Sequence, residues 1–125
     1  MPTRPPVFNA NARRVEYERS RGTARQQGYT TRWDRLSRHC RRAHPLCLGC
    51  LAVGDTTVTY CTDHIVPHKG DFARMWDVNN LQPLCKWHHD VIKQQLEQMH
   101  QRGEITDDDL RIDSAIAIRL TNQNR

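Results

Sequence analysis

CTDHIVPHKGDFARMWDVNNLQPLCKWHHDVIK, residues 61–93, decides how the rest of the chain reads. It carries an Asp-His pair (Asp63, His64), then Asn79-Asn80-Leu81, then Cys85 and a His-His pair (His88, His89) where a helical pattern opens. Upstream, Cys47 and Cys50 form a Cys-x-x-Cys. These residue types, in this order, point to two metal sites: a structural zinc, and a catalytic divalent ion beside a histidine base.

The zinc set follows from spacing. Two thiolates three residues apart in a tight turn can face one ion, and Gly49 gives that turn backbone freedom. Zinc then needs two more ligands, and Cys85-x-x-His88 supplies them. A Cys3His site of Cys47, Cys50, Cys85 and His88 is therefore expected, closing a long loop and stabilising the fold. A redox role for Cys47-x-x-Cys50 would require a βαβ context, which the sequence does not show. The bland alternative leaves His88 on the surface, with zinc absent or held by three cysteines and water.

Asp63 and His64 hold the second chemistry. Phosphodiester hydrolysis needs a base for water, a cation for the pentavalent phosphate and a proton for the leaving oxygen. An imidazole titrates near neutral pH, so His64 suits the base. Asp63 can hold a hard cation. Neighbours in a regular strand point to opposite faces, so both reach one cleft only if the backbone bends there. The structural alternative is a strand-end Asp-His pair with no role.

Trp87 to Arg102 is the clearest helix, closed by Gly103. At about 100° per residue, His88, Ile92, Leu96 and Met99 share one stripe, while His89 and Lys93 share its neighbour. His88 is assigned to zinc, His89 to the catalytic ion with Asp63, and Lys93 to phosphate.

Asp63-His64 with Ile65-Val66-Pro67-His68, Asn80-Leu81-Gln82-Pro83-Leu84-Cys85, and Cys85-x-x-His88-His89 together resemble the zinc-bearing, phage-type branch of the HNH nuclease family. His64, Asn80 and His89 fall where that family has its name-giving residues. The motifs run from Cys47 to about Lys93, roughly a third of the chain. The resemblance implies an α+β fold, with a small ββα-metal (His-Me finger) core braced by the Cys3His zinc site and flanked by helices. It implies DNA cleavage to 5′-phosphate and 3′-hydroxyl ends. It gives Asn80 the task of bracing the loop that carries His64. It also suggests a role beside the terminase in phage genome packaging, in a bacterial host cell. Where some relatives have a third histidine ligand four residues after His89, this chain has Lys93. That leaves two protein ligands for the catalytic ion, compatible with Mg2+ or Mn2+ completed by water and DNA oxygens.

Composition sets the frame. A chain of 125 residues with 37% hydrophobic and 6% aromatic content makes one domain with a modest core, which a metal would help to close. No apolar run is long enough to span a membrane, and the N-terminus lacks the apolar segment of a secretion signal. A cytoplasmic protein with reduced cysteines is expected, and five cysteines, an odd count, argue against a disulfide framework. Charge is lopsided: residues 1–44 hold 11 Arg against 3 acids, and the remainder 8 Lys and Arg against 11 acids. The basic part suits a polyanion, here double-stranded DNA, with a solvated Arg-rich face as the bland alternative.

Residues 1–28 are expected to be a basic, flexible arm, residues 29–103 the nuclease domain, and residues 104–125 a C-terminal helix or tail. Thr30 or Thr31 would cap a helix to about Ala43, burying Trp33 and presenting Arg35, Arg38 and Arg42 to the duplex backbone. Thr56 to Val66 reads as a strand or hairpin ended by Pro67. Lys69 lies in a polar loop within reach of phosphate, and Met75, Trp76 and Val78 would anchor that loop. Thr106 and Asp109 make a capping box. A different class remains open: a noncatalytic zinc module binding nucleic acid or protein. It uses the same zinc and basic arm but gives no reason for Asp63, His64 and His89 to occur together.

Overall fold

Two four-residue strands form the sheet. In the computed structural model, which describes residues 24–125, β1 (Cys61–His64) pairs antiparallel with β2 (Leu81–Leu84). Cys61 lies opposite Leu84, Thr62 opposite Pro83, Asp63 opposite Gln82 and His64 opposite Leu81. Pro83 has no N–H to give a ladder, which a two-stranded sheet tolerates because both strands are edges. The helices are α1 (Ala24–Ala43), α2 (Leu48–Leu51), α3 (Phe72–Trp76), α4 (Gln94–Gln101) and α5 (Ala115–Asn124). Turns of 3-10 helix span Val78–Asn80 and Asp108–Leu110, and a π-helical turn, His88–Lys93, runs directly into α4. This is a small α+β fold.

The chain divides into two units, residues 1–36 and Ser37–Arg125. Only the first part of α1 is described in the former; the sheet, the core and the clustered Cys47, Cys50, Cys85 and His88 lie in the latter. Helix α1 begins at Ala24, so the expected arm over residues 1–28 is helical in its last residues and otherwise lies outside the described residues. Thr30 and Thr31 fall inside the helix and cannot cap it. Ala24 to Gln27 are all good helix formers, and they carry the helix back past the expected cap.

The strand expected over Thr56–Val66 is divided. Its first part folds back on the knuckle: the Cys47 N–H donates to the Thr57 carbonyl at 2.8 Å and the Thr59 N–H to the Pro45 carbonyl at 2.8 Å. Only Cys61–His64 pairs with β2. The chain bends at Ile65 and Val66, where the Ile65 N–H reaches the Asn80 carbonyl at 2.8 Å. Val78, expected to anchor the following loop, is instead 60% exposed, in a 3-10 turn capped by Asp77.

The core sits between the sheet, the long helix and the C-terminal segment. Its buried residues are Ile65, Leu84, Ile92, Leu96, Ile105, Leu110, Ile112 and Ala117, half of them from beyond residue 104. Residues 104–125 are thus packed into the domain. Thr106 and Asp109 hydrogen-bond each other at a turn, and Ser114 starts α5, its Oγ accepting from the Ala117 N–H at 3.1 Å and donating to the Asp109 carbonyl at 2.9 Å. A cap of this kind contributes about 1 kcal/mol. Ser114→Ala should therefore lower the melting temperature by about 4–8 °C in thermal denaturation. An unchanged melt would mean that α5 is held by packing alone.

Candidate functional site

The metal centre is assembled from two segments. Cys47 and Cys50 flank the start of the short helix α2; Cys85 directly follows β2 and His88 opens the π-helical turn. All four are buried, with ligand atoms within 4.8 Å of one another. His88 Nδ1 stands 3.6 Å from Cys47 Sγ, 3.4 Å from Cys50 Sγ and 3.4 Å from Cys85 Sγ, and Cys50 Sγ is 3.9 Å from Cys85 Sγ. A zinc tetrahedron with Zn–S about 2.3 Å and Zn–N about 2.0 Å has S–S edges of about 3.8 Å and S–N edges of about 3.5 Å. The donor set fits a structural zinc in type, number and spacing.

His88 is oriented from behind. Its Nε2 lies 3.2 Å from Thr121 Oγ, which itself donates to the Ala117 carbonyl at 2.8 Å. The hydroxyl proton is spent on that carbonyl, so Thr121 accepts from Nε2–H and leaves the Nδ1 lone pair toward the thiols. Burial lowers the His88 pKa, keeping the ring neutral as a ligand must be. Burial also pushes the Cys47 thiol up to about 12 and raises that of Cys50, so the metal-free fold favours thiols. Metal binding must then expel protons, and affinity falls as pH falls.

Gly49 has a steric task. A Cβ there would lie 2.5 Å from His88 Cδ2 and 2.8 Å from Ile112 Cγ1. The turn needs glycine for space, because the imidazole packs on its backbone; left-handed backbone is confined to Lys69, Gly54, Gly70 and Gly103 among the described residues.

The second site surrounds β1. His64 is half-buried, and its Nε2 sits 3.1 Å from the Met75 carbonyl. A carbonyl only accepts, so Nε2 carries the proton and Nδ1 is the basic nitrogen. Burial lowers the His64 pKa, with the Met75 contact opposing it and His68, 4.9 Å away ring to ring, adding to it. Asn80 is buried. Its Oδ1 accepts from the Val66 N–H at 2.9 Å, and its Nδ2 donates to the Val66 carbonyl at 2.9 Å and the Arg74 carbonyl at 3.3 Å. The side chain thus grips both backbone groups of the bend after His64 and ties it to α3.

Asp63 Oδ2 receives the Gln82 Nε2 at 3.1 Å and forms an ion pair with Lys93 Nζ at 2.9 Å. Its Oδ1 has no hydrogen-bond partner among the described residues. His89 is half-buried on the helix and bonds Asp90 through Nδ1 at 2.9 Å, which leaves Nε2 as its other ring nitrogen. Among the described residues, Cys47, Cys50, Cys85 and His88 are the group of three or more His, Cys, Asp or Glu side chains close enough to hold an ion, and neither Asp63 nor His89 belongs to it.

Lys93 departs from expectation. A regular helix would place it on the His89 face, free for phosphate, yet it is 1% exposed. The cause is the π-helical turn. A π-helical turn holds more residues than an α-helical one, so it rotates Lys93 away from the His89 line toward the buried His88 side. Of the other expected DNA contacts, Arg35 is exposed in the first unit, Arg38 and Arg42 are exposed in the second, and Lys69 is exposed with a φ of 48° in the turn before Gly70. Sequence reading misses Gln82 and Thr121, buried polar residues in segments that look apolar or unstructured.

Compared with known proteins, the chain matches no family model, no curated protein and no solved structure. No described helix is long and apolar enough to cross a membrane.

Purified protein should carry one zinc per chain. Thr121→Val should weaken zinc binding about tenfold in chelator competition, since an orienting partner of a ligand is typically worth about 10–100-fold. Gly49→Ala, which drives a methyl into the ligand ring, should lose zinc on dialysis. Retention of zinc in Gly49→Ala at wild-type affinity would show that His88 is not a ligand.

Proposed function

We propose that the chain is a metal-dependent DNA endonuclease of the HNH kind, with a ββα-metal core made by β1, β2 and the helix that carries His88 and His89. The observation that supports this most is the setting of His64. Its Nε2 proton is held by the Met75 carbonyl, its Nδ1 is the basic nitrogen, and the bend behind it is clamped by Asn80. A neutral, oriented imidazole at the end of a strand is what a general base for water requires. Burial keeps it neutral below the usual pH range, so the base is ready without a neighbouring carboxylate.

In this reading Asp63 and His89 hold a divalent ion, Mg2+ or Mn2+. When bound, such an ion supplies Lewis-acid stabilisation of charge on the phosphate and the leaving oxygen. His64 takes the proton from the attacking water through Nδ1. Asn80 keeps the His64 loop from shifting as charge develops on the ring. Arg38 and Arg42, four apart on α1, and Lys69 on the turn after His68, meet phosphates along the duplex, and Arg35 supplies a further phosphate contact. The Cys3His zinc takes no part in the chemistry and fixes where β2 turns into the helix. The proposed setting, by the resemblance, is phage genome packaging beside the terminase.

The test is nicking of supercoiled plasmid by zinc-loaded protein, with and without Mg2+ or Mn2+, beside His64→Ala of matched melting temperature. Nicking should require the added ion, and the variant should lose about 100-fold or more. His64 works as the neutral base and its pKa is lowered, so activity should hold on acidification and fall only below the ordinary imidazole value of about 6.5. Equal nicking by the variant would remove His64 from the mechanism. DNA binding without cleavage would leave a noncatalytic zinc module.

A further inference from the structure

Lys93 is the largest fully buried side chain among the described residues. Three oxygens surround the ammonium: Asp63 Oδ2 at 2.9 Å, Glu97 Oε2 at 2.9 Å and the His64 carbonyl at 2.8 Å. An ammonium has three protons, so this shell occupies it fully and leaves nothing to offer a phosphate. A buried charge is tolerated only when paired in this way. Two of the three oxygens belong to Asp63 and His64, the residues at the centre of the proposed site. Gln82 closes the arrangement. Its Nε2 donates to the same Asp63 oxygen at 3.1 Å, while its Oε1 accepts the Ile112 N–H at 2.9 Å, so the Asp63 carboxylate cannot rotate without breaking a hydrogen bond from an amide that is itself held in place.

We infer that the Lys93 ammonium is a resident cation of the Asp63 carboxylate: it neutralises and orients that group in the resting protein, and a divalent ion must bind in competition with its charge. Lys93 is a positioning residue for Asp63 and for the His64 backbone. The ammonium and Gln82 both engage Oδ2, which presents Oδ1 as the atom left for an incoming ion. Such an ion meets a carboxylate whose charge is already matched. It binds weakly to the protein alone, and phosphate oxygens of bound nucleic acid make up the missing negative charge. Glu97 sets how strongly the ammonium acts on Asp63, because the two carboxylates share one cation.

This inference rests on Asp63 being the ion-binding residue of the proposed nuclease, and a test independent of cleavage can separate the two. Mn2+ binding to zinc-loaded, DNA-free protein is read by the loss of the free-ion electron paramagnetic resonance signal. In Lys93→Met, folded and holding one zinc, Mn2+ should bind about tenfold more tightly or better, as removal of an adjacent unit charge demands. The gain should persist in about 0.5 M salt, because a buried pair is screened little. Lys86→Met, which removes an exposed lysine paired with Asp90, should change the Kd less than about twofold, the two charges being screened by solvent. Glu97→Gln should act the other way, weakening Mn2+ about threefold as the ammonium commits to Asp63. Glu97 is partly exposed, so this variant decides the matter if Lys93→Met does not fold. An unchanged Mn2+ affinity in folded Lys93→Met, a tighter one in Glu97→Gln, or no Mn2+ binding by any form overturns the inference. Plasmid nicking by the wild type judges the nuclease reading separately. Nicking with an unchanged Lys93→Met affinity sinks only the inference, and tighter Mn2+ binding without nicking sinks only the nuclease.

Discussion

The tetrahedron of Cys47, Cys50, Cys85 and His88 is the constraint on which the rest of the structure depends. The apolar core has eight buried residues, and the sheet has two strands of four residues, too short to persist unaided. A structural zinc contributes about 10–16 kcal/mol of folding free energy in small domains, enough to dominate such a balance. Its placement matters as much as its size. Cys85 directly follows β2 and His88 opens the helical turn, so one ion held by both would fix where the sheet gives way to the helix. The knuckle is anchored by its backbone pairing to Thr57 and Thr59, and α5 is drawn in by the Thr121–His88 contact and by Arg125 pairing with Asp55.

From that fixed corner a second, polar framework extends beneath β1. Gln82 joins Asp63 to the Ile112 backbone, Lys93 joins Asp63 to Glu97 and to the His64 carbonyl, and Asn80 holds the bend at Val66. Gln82, Lys93 and Asn80 are each buried, and each meets its partners. In a low-dielectric interior that condition separates a network that specifies one geometry from one that destabilises the fold. The Cys3His cluster takes His88 at the start of the helical turn, the turn carries Lys93, and Lys93 reaches back to the strand. The two sites are coupled through one rigid element.

The ligand set is legible in the sequence because ligand chemistry is local: Cys-x-x-Cys and Cys-x-x-His have few uses, and one spacing each. His88 and His89 are legible as residues with different surroundings because neighbours on a helix diverge. The same logic misplaces Lys93. It carries a repeat of about 3.6 residues through a segment that takes one π-helical turn. Nothing in His88-His89-Asp90-Val91-Ile92-Lys93 marks that turn in advance, and the partners at its two ends, the cysteines at His88 and the Asp63 carboxylate at Lys93, lie elsewhere in the chain. Gly49 reads as a source of backbone freedom, when its reason is the imidazole on its Cα. Thr121 and Gln82 stay hidden because their partners lie 33 and 30 residues away along the chain.

The same turn explains how one helix can serve both a dry and a wet site. Within a regular helix, His88 turned inward would place Lys93 on the solvent side with His89, and Asp63 would be buried without a cation. The wider turn brings Lys93 round to the inside while His89 stays outside, its Nδ1 held by Asp90. Asp63, at the strand end and only slightly exposed, is then compensated from within and approachable from without through a single oxygen. A carboxylate held so can sit in a small fold beside a desolvated imidazole without unfolding it. The irregular turn is therefore the local feature that lets the Cys3His corner and a buried polar network share one short helix.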